Sequence, residues 1–272
     1  MLDILWMFAR FIINKTMFNE AKVEIFGIKF DNLTMEEVVE RLENSLFVSK
    51  QKFVVLPYSE FVVRAQKNEE FRNILNSADF CLCEGKGLYL MAKLIGKKLK
   101  QNINGIELIY NICNNFQFSI SNFQSNFNNQ FSKPKIFLFG GTENIVKKTA
   151  EKLGNNVVGF DHGYLEYDPV IQKINLIEPN ILLVGLGSPK QEEFIYENLH
   201  KMPSIKLAIG VGGAFDFISG QVKRAPKFMQ KTGTEWLWRL IIQPKRFKRI
   251  FKGVGGLICL TFKNMLCLLI RF

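Results

Sequence analysis

Glu84 is the residue of this chain best placed, by type and setting, to move a proton. An apolar run, residues 80–83, precedes it, and Gly85-Lys86-Gly87 follows. A carboxylate beside glycine at the carboxyl end of a parallel strand faces the crevice where open α/β sheets take ligands. There it can serve as a general base toward a substrate hydroxyl. A loop glutamate is as readily only solvated, so Glu84 needs companions to count as a site.

Three glycine-rich junctions supply candidates. At Gly140-Gly141-Thr142-Glu143 an apolar run meets two glycines and a helical pattern, a turn whose N–H groups could approach a phosphate or merely close tightly. At Gly187-Ser188-Pro189-Lys190-Gln191, the spacing predicts Ser188 as N-cap, Pro189 as first helical residue and Gln191 as capping-box partner. That leaves Lys190 unexplained, because a cation in a first turn opposes the helix dipole unless an anion binds there. At Gly210-Val211-Gly212-Gly213 the glycines permit close backbone approach to a ligand, and Asp216 could accept hydrogen bonds from a ribose or base or simply favour a helix start. His162, one of two histidines, reads as a turn or core residue.

The pattern of polar residues narrows the chemistry. No Asp-x-Asp stands at a strand end, so a departing diphosphate would be neutralised by cationic side chains and helix dipoles. The dinucleotide fingerprint is missing, which disfavours an NAD-dependent dehydrogenase. Five cysteines without metal-ligand spacing, with two histidines, read as reduced thiols rather than a zinc site. No metal and no cofactor are expected.

Short apolar runs at residues 52–56, 80–83, 135–139, 180–185 and 206–211 read as buried parallel strands. Helical patterns lie between them. One begins at Thr34 with Glu37 completing a capping box, and another at Asp168-Pro169, with Asp168 as N-cap. The alternation predicts an α/β fold, a mostly parallel sheet with helices on both faces. Residues 113–134, rich in Asn, Ser, Gln and Phe, read as a low-complexity loop inserted in the core.

The chain of 272 residues is 47% apolar and 22% charged, enough for a real core without disulfide or metal staples. Its net charge of +11 is concentrated in one place: between Lys223 and Lys252 stand ten basic residues against the single acid Glu235. Nucleic acid, anionic lipid or a phosphorylated substrate could each explain that block. Aromatic and aliphatic residues interleaved with the cations suit a helix lying at a lipid interface. Residues 1–22 and the tail after Val254 are apolar, but Asp3, Arg10 and Lys263 interrupt them, so they suit a membrane surface better than a crossing. Three parts are expected: residues 1–22, a core over 23–220, and a basic amphipathic appendage over 221–272.

Several motifs in order resemble one family. Residues 161–164 (DHGY), 187–192 (GSPKQE), 210–216 (GVGGAFD), 220–226 (GQVKRAP), 235–239 (EWLWR) and 244–246 (PKR) are similar to the WecG/TagA/CpsF bacterial glycosyltransferases. So are residues 60–65 (EFVVRA), 74–79 (ILNSAD), 84–87 and Asn104-Gly105, and the resemblance spans residues 23–251. It implies a Rossmann-like core that inverts the anomeric centre without an essential divalent metal. A sugar, N-acetylmannosamine or a related hexose, would pass from a UDP-sugar to an undecaprenyl-diphosphate-linked acceptor for surface polysaccharide or teichoic acid. It further implies a membrane-binding appendage and peripheral attachment at the cytoplasmic face, with an anionic membrane surface and no nucleic acid as partner; a homo-oligomer stays open.

Carried over by position, Glu84 stands where the family's base is normally Asp. Gln191 matches an active-site glutamine, and Asp216 the acid near the nucleotide. Arg224, Arg239 and Arg246 match appendage arginines facing diphosphates. Tyr164 and the glycine turns at Gly140, Gly141, Gly187, Ser188, Gly212 and Gly213 join the binding surface. Leu56 and Tyr58 stand where the family has a Thr-x-Asn pair, and Asn102 replaces an arginine. These departures suggest a changed substrate, the alternative being a catalytically degenerate UDP-binding scaffold at the membrane.

Overall fold

A computed structural model describes residues 22–123, 134–244 and 247–270. A short hairpin, β1 (Val23–Ile25) and β2 (Ile28–Phe30), opens it, with positive φ at both turn residues, Phe26 and Gly27. The six remaining strands form one parallel sheet: β3 (Lys52–Val55), β4 (Phe80–Cys81), β5 (Ile136–Gly140), β6 (Val157–Asp161), β7 (Ile181–Gly185) and β8 (Leu207–Gly210), in the order β4-β3-β8-β7-β5-β6. Alternate residues feed two cores. Phe53, Phe137, Leu182 and Ala208 enter one face, and Val54, Leu138, Leu183 and Ile209 the other. Both faces are therefore covered by helices, as near-continuous apolar strands require.

The helices are α1 (Met35–Ser45), α2 (Ser59–Ala65), α3 (Glu69–Ser77), α4 (Lys86–Leu94), α5 (Gly105–Phe123), α6 (Glu143–Leu153), α7 (Tyr167–Ile177), α8 (Lys190–Asn198), α9 (Ala214–Ile218), α10 (Lys227–Thr232), α11 (Glu235–Ile242) and α12 (Phe247–Ile270). The capping box at Thr34 and Glu37 is present. Other boundaries differ from the sequence reading. Strand β4 is only Phe80–Cys81, although Leu82 N–H still donates to Val55 O at the end of β3 (2.9 Å). Helix α7 starts at Tyr167 with Glu166, not Asp168, as N-cap. Helix α5 continues to Phe123, through the first part of the expected loop. Residues 124–133 lie outside the described set.

The winding reverses between β3, which leads to β4 on one side, and β5, which leads to β6 on the other. Ligands of such sheets bind outside the strand ends at this reversal. The strand ends lying between β3 and β5 belong to β8 and β7, which lead into Gly212-Gly213 and Gly187-Ser188. Helix α12 packs along α2 and α4, with Leu257 buried in the core and Gly253 and Gly256 facing Glu60 and Val63. No helix among the described residues is long and apolar enough to cross a membrane.

Candidate functional site

Glu84 is anchored from both sides. Its N–H donates to Pro57 O (3.0 Å), and its Oε1 accepts from the N–H of Gly105 (3.0 Å), the first residue of α5. Asn104 caps the same helix, its Oδ1 accepting from Ile106 and Glu107 N–H at 3.1 Å each. The carboxylate thus sits at the positive end of a helix, where an anion is stabilised. Gly105 is a steric requirement: a Cβ there would lie 2.9 Å from Glu84 Oε1 and 3.3 Å from Leu56 Cδ1. Burial nevertheless dominates and lifts the Glu84 carboxyl to about 7; the Gly105 N–H and Arg239 work against the rise and Glu235 adds to it. A carboxylate poised there suits proton abstraction at neutral pH.

Arg239 and Glu235 belong to α11, so charges of the basic C-terminal segment act on Glu84. Arg239 stacks its guanidinium over Phe217 (4.9 Å to the ring centre), Trp238 Nε1 donates to Lys223 O (2.9 Å), and Arg224 lies 3.5 Å from Glu107 Oε1 and 4.0 Å from Glu235 Oε1. From α12, Arg249 Nη2 donates to Tyr58 Oη at 3.1 Å, and its Nε pairs with Glu60. Tyr58 Oη also donates to Glu60 Oε2 (3.2 Å), and Glu60 pairs with Arg64 (2.9 Å). Burial pushes the Tyr58 hydroxyl up to about 12, so it stays protonated.

The turns divide into occupied and open ones. Gly140-Gly141 is closed: a Cβ on Gly140 would meet Gly185 C at 2.4 Å, and Gly141 N–H is taken by Gly185 O (3.3 Å). Its glycines let β5 and β7 approach, so close packing already accounts for them at the turn where a phosphate cradle was expected. Above Gly187 nothing lies within 4 Å of a Cβ position. The expected capping box at Ser188 is replaced by a different arrangement. Pro189 is the N-cap, Ser188 makes no cap bond, and Gln191 is buried, its Oε1 accepting from Gly212 N–H (2.9 Å). Gln191 therefore shapes the β8 turn from beneath.

The other expected residues fall as follows. Leu56, expected as a substrate contact, is a core residue, 3% exposed. Tyr58 belongs to the junction with α12. Asn102 is half-buried beside Ile103, whose N–H donates to Cys83 O (2.8 Å). Asp216 lies in α9, where its backbone carbonyl accepts from Val222 N–H (3.0 Å). Tyr164 is exposed, and His162 Nδ1 accepts from Tyr164 N–H (3.3 Å), a turn role. Arg246 lies outside the described residues. Glu60 and Arg249 went unread because their meeting depends on a fold contact 189 residues apart in sequence. Tyr58 beside Glu60 was the visible hint.

The family model described as glycosyl transferase WecG/TagA/CpsF family matches residues 23–268. Two curated relatives carry the name N-acetylglucosaminyldiphosphoundecaprenol N-acetyl-beta-D-mannosaminyltransferase. The one from Bacillus spizizenii (strain W23) is 31% identical over 82% of this chain and 84% of the relative. The one from Staphylococcus aureus (strain NCTC 8325) is 31% identical over 85% and 89%.

Proposed function

This chain belongs to the WecG/TagA/CpsF family of glycosyl transferases, and on that footing we propose that it transfers N-acetylmannosamine, or a closely related sugar, from a UDP-sugar to N-acetylglucosaminyl-diphosphoundecaprenol. The observation that carries this reading is Glu84, held at the N-terminus of α5 beneath Arg239 with its carboxyl raised to about 7. An acceptor hydroxyl attacks the anomeric carbon and gives its proton to Glu84. The bond from that carbon to the UDP oxygen breaks on the opposite side, inverting the centre. The UDP leaves toward the open Gly187 turn, the Gly212-Gly213 turn and the cations Arg224 and Arg239.

The lipid-linked acceptor requires the enzyme at a membrane, and we propose peripheral attachment at the cytoplasmic face. Phe247, Phe251, Phe262 and Leu266 on α12 are all more than half exposed, among the exposed Lys248, Lys252 and Lys263. On α4, Leu90 and Leu94 are exposed beside Lys93, Lys97 and Lys98. Apolar side chains ringed by lysines fit an anionic lipid interface. The non-catalytic alternative is not favoured. Leu56 and Tyr58 are used in packing and docking, and the carboxylate is retained.

The test is direct. The full chain is incubated with UDP-N-acetylmannosamine and a short-chain N-acetylglucosaminyl-diphospholipid, and the product mass and anomeric configuration are read. A disaccharide-diphospholipid of inverted configuration is expected; absence of transfer with this donor and with a panel of UDP-hexoses would remove the assignment.

A further inference from the structure

Ser188 and Glu192 flank the start of α8, and both carry an orphaned polar atom. Ser188 Oγ and Glu192 Oε2 are buried with no hydrogen-bond partner, and Glu192 as a whole has 0% exposure. The other carboxyl oxygen, Oε1, accepts from Gln191 Nε2. Gln191 in turn accepts from Gly212 N–H at 2.9 Å. A glutamine amide can satisfy both neighbours in one orientation only, NH2 toward Glu192 and oxygen toward Gly212. Both groups pack closely on β8: a Cβ on Gly210 would lie 2.8 Å from Gln191 Nε2 and 3.1 Å from Glu192 Oε1.

Nothing neutralises a negative charge on Glu192. Among the described residues it has no ion-pair partner. Strands β7 and β8 present aliphatic residues and glycine, and α3 adds Phe71, Ile74 and Leu75 to the same core. The charged group whose field reaches Glu192 is Arg64 of α2, and that guanidinium is already paired with Glu60. An ionised carboxylate buried without a partner is costly, whereas a neutral one is not.

We propose that Glu192 is a positioning residue that keeps a proton on Oε2, donated to Ser188 Oγ, and so locks Gln191 onto the Gly212 turn. One hydrogen bond then satisfies both orphaned atoms. Burial, the largest influence, raises the Glu192 carboxyl to about 7, with the Gln191 and Ser188 contacts opposing it. Near-neutral pH is therefore where the lock begins to open. Ionisation drives water or a cation toward Oε2 and loosens the turn beside the donor's diphosphate. That consequence for turnover rests on the transferase reading; the proton itself does not.

The test uses the full chain, Glu192→Gln as a permanent mimic of the neutral form, and Glu192→Ala as the disruptive control. The native protein holds a proton that the unfolded chain releases between 4.5 and about 7. Stability therefore falls as pH rises through that window. Glu192→Gln escapes the loss, while Glu84, shifted likewise, contributes to both chains and cancels. The gap between their thermal midpoints should open by a few degrees in favour of Glu192→Gln as pH rises from about 5 to about 8. A gap that stays constant overturns the proposal without any substrate being involved. In the transfer assay, wild-type kcat/KM should fall about tenfold per pH unit on the alkaline side, and Glu192→Gln should lack that limb. If the midpoint gap opens but the limb persists, the proton is present and the positioning role is wrong.

Discussion

Arg249 on α12 donates to the hydroxyl of Tyr58, 3.1 Å away at the N-cap of α2, and the same guanidinium pairs with Glu60. One side chain therefore fastens the C-terminal helix beside the strand end next to Glu84. Arg249→Ala should destabilise the protein by about 1 kcal/mol, because the pair is partly solvated. It should lower transfer by more than that loss explains, because α11 and Arg239 are then held less firmly over Glu84. Chemical denaturation measured alongside turnover checks both, and equal proportional effects would show a merely structural contact. Removing everything after Gly220 is a poorer probe, since it takes Leu257 out of the core and uncovers Val63.

Gly105→Ala tests the carboxylate's placement. The added methyl would stand 2.9 Å from Glu84 Oε1. Displacing a catalytic group by about 1 Å can cost on the order of 10²-fold in rate. We expect kcat to fall by about that factor, with UDP affinity measured by calorimetry nearly unchanged. Full activity would mean that the bond to the Gly105 N–H is dispensable.

Glu84→Gln should reduce kcat by about 10²–10⁴-fold while UDP still binds. As a base, Glu84 works when ionised, so it sets the acid limb, on which kcat/KM rises with pH toward a maximum near 7, where the alkaline limb of Glu192 begins. Arg239 lowers this carboxyl and Glu235 raises it. Arg239→Ala should therefore move the rising limb to higher pH, and Glu235→Gln to lower pH. Limbs that stay fixed in both variants would detach α11 from the base.

Liposome flotation tests the lipid face. Each lysine near an anionic surface contributes about 1 kcal/mol. Replacing Lys248 and Lys252 by Ala should weaken flotation with anionic vesicles, and added salt should weaken the wild type likewise. Phe251→Glu should weaken it even at low salt. Flotation indifferent to all three would leave the exposed phenylalanines without a lipid partner.

The strands were legible where both faces are buried, because runs such as 136–139 and 181–184 are apolar throughout. Strand β6 was not read: it is the sheet's edge, half-covered, and holds Gly159, so it carries neither a continuous apolar run nor alternation. Glu84 was legible from its glycines, and the C-terminal cations from their density. The sequence did not reveal which backbone donors were already engaged. Gly140-Gly141 and Gly187-Ser188 look alike in a row of letters, yet one is packed against Gly185 and the other faces open space. Gln191 was expected as a capping-box partner and an active-site residue, but its burial against Gly212 depends on β8 lying beside β7.

The docking of α12 has a consequence for biosynthesis. Arg249 is made 189 residues after Glu60. At ribosomal rates that interval is roughly 10–40 s, and domains fold as they emerge. The strands of the sheet, the last of which ends at Gly210, are thus all made before their clasp. Every strand would then precede α12 off the ribosome, and the approach to Glu84 would stay unguarded until that helix arrived.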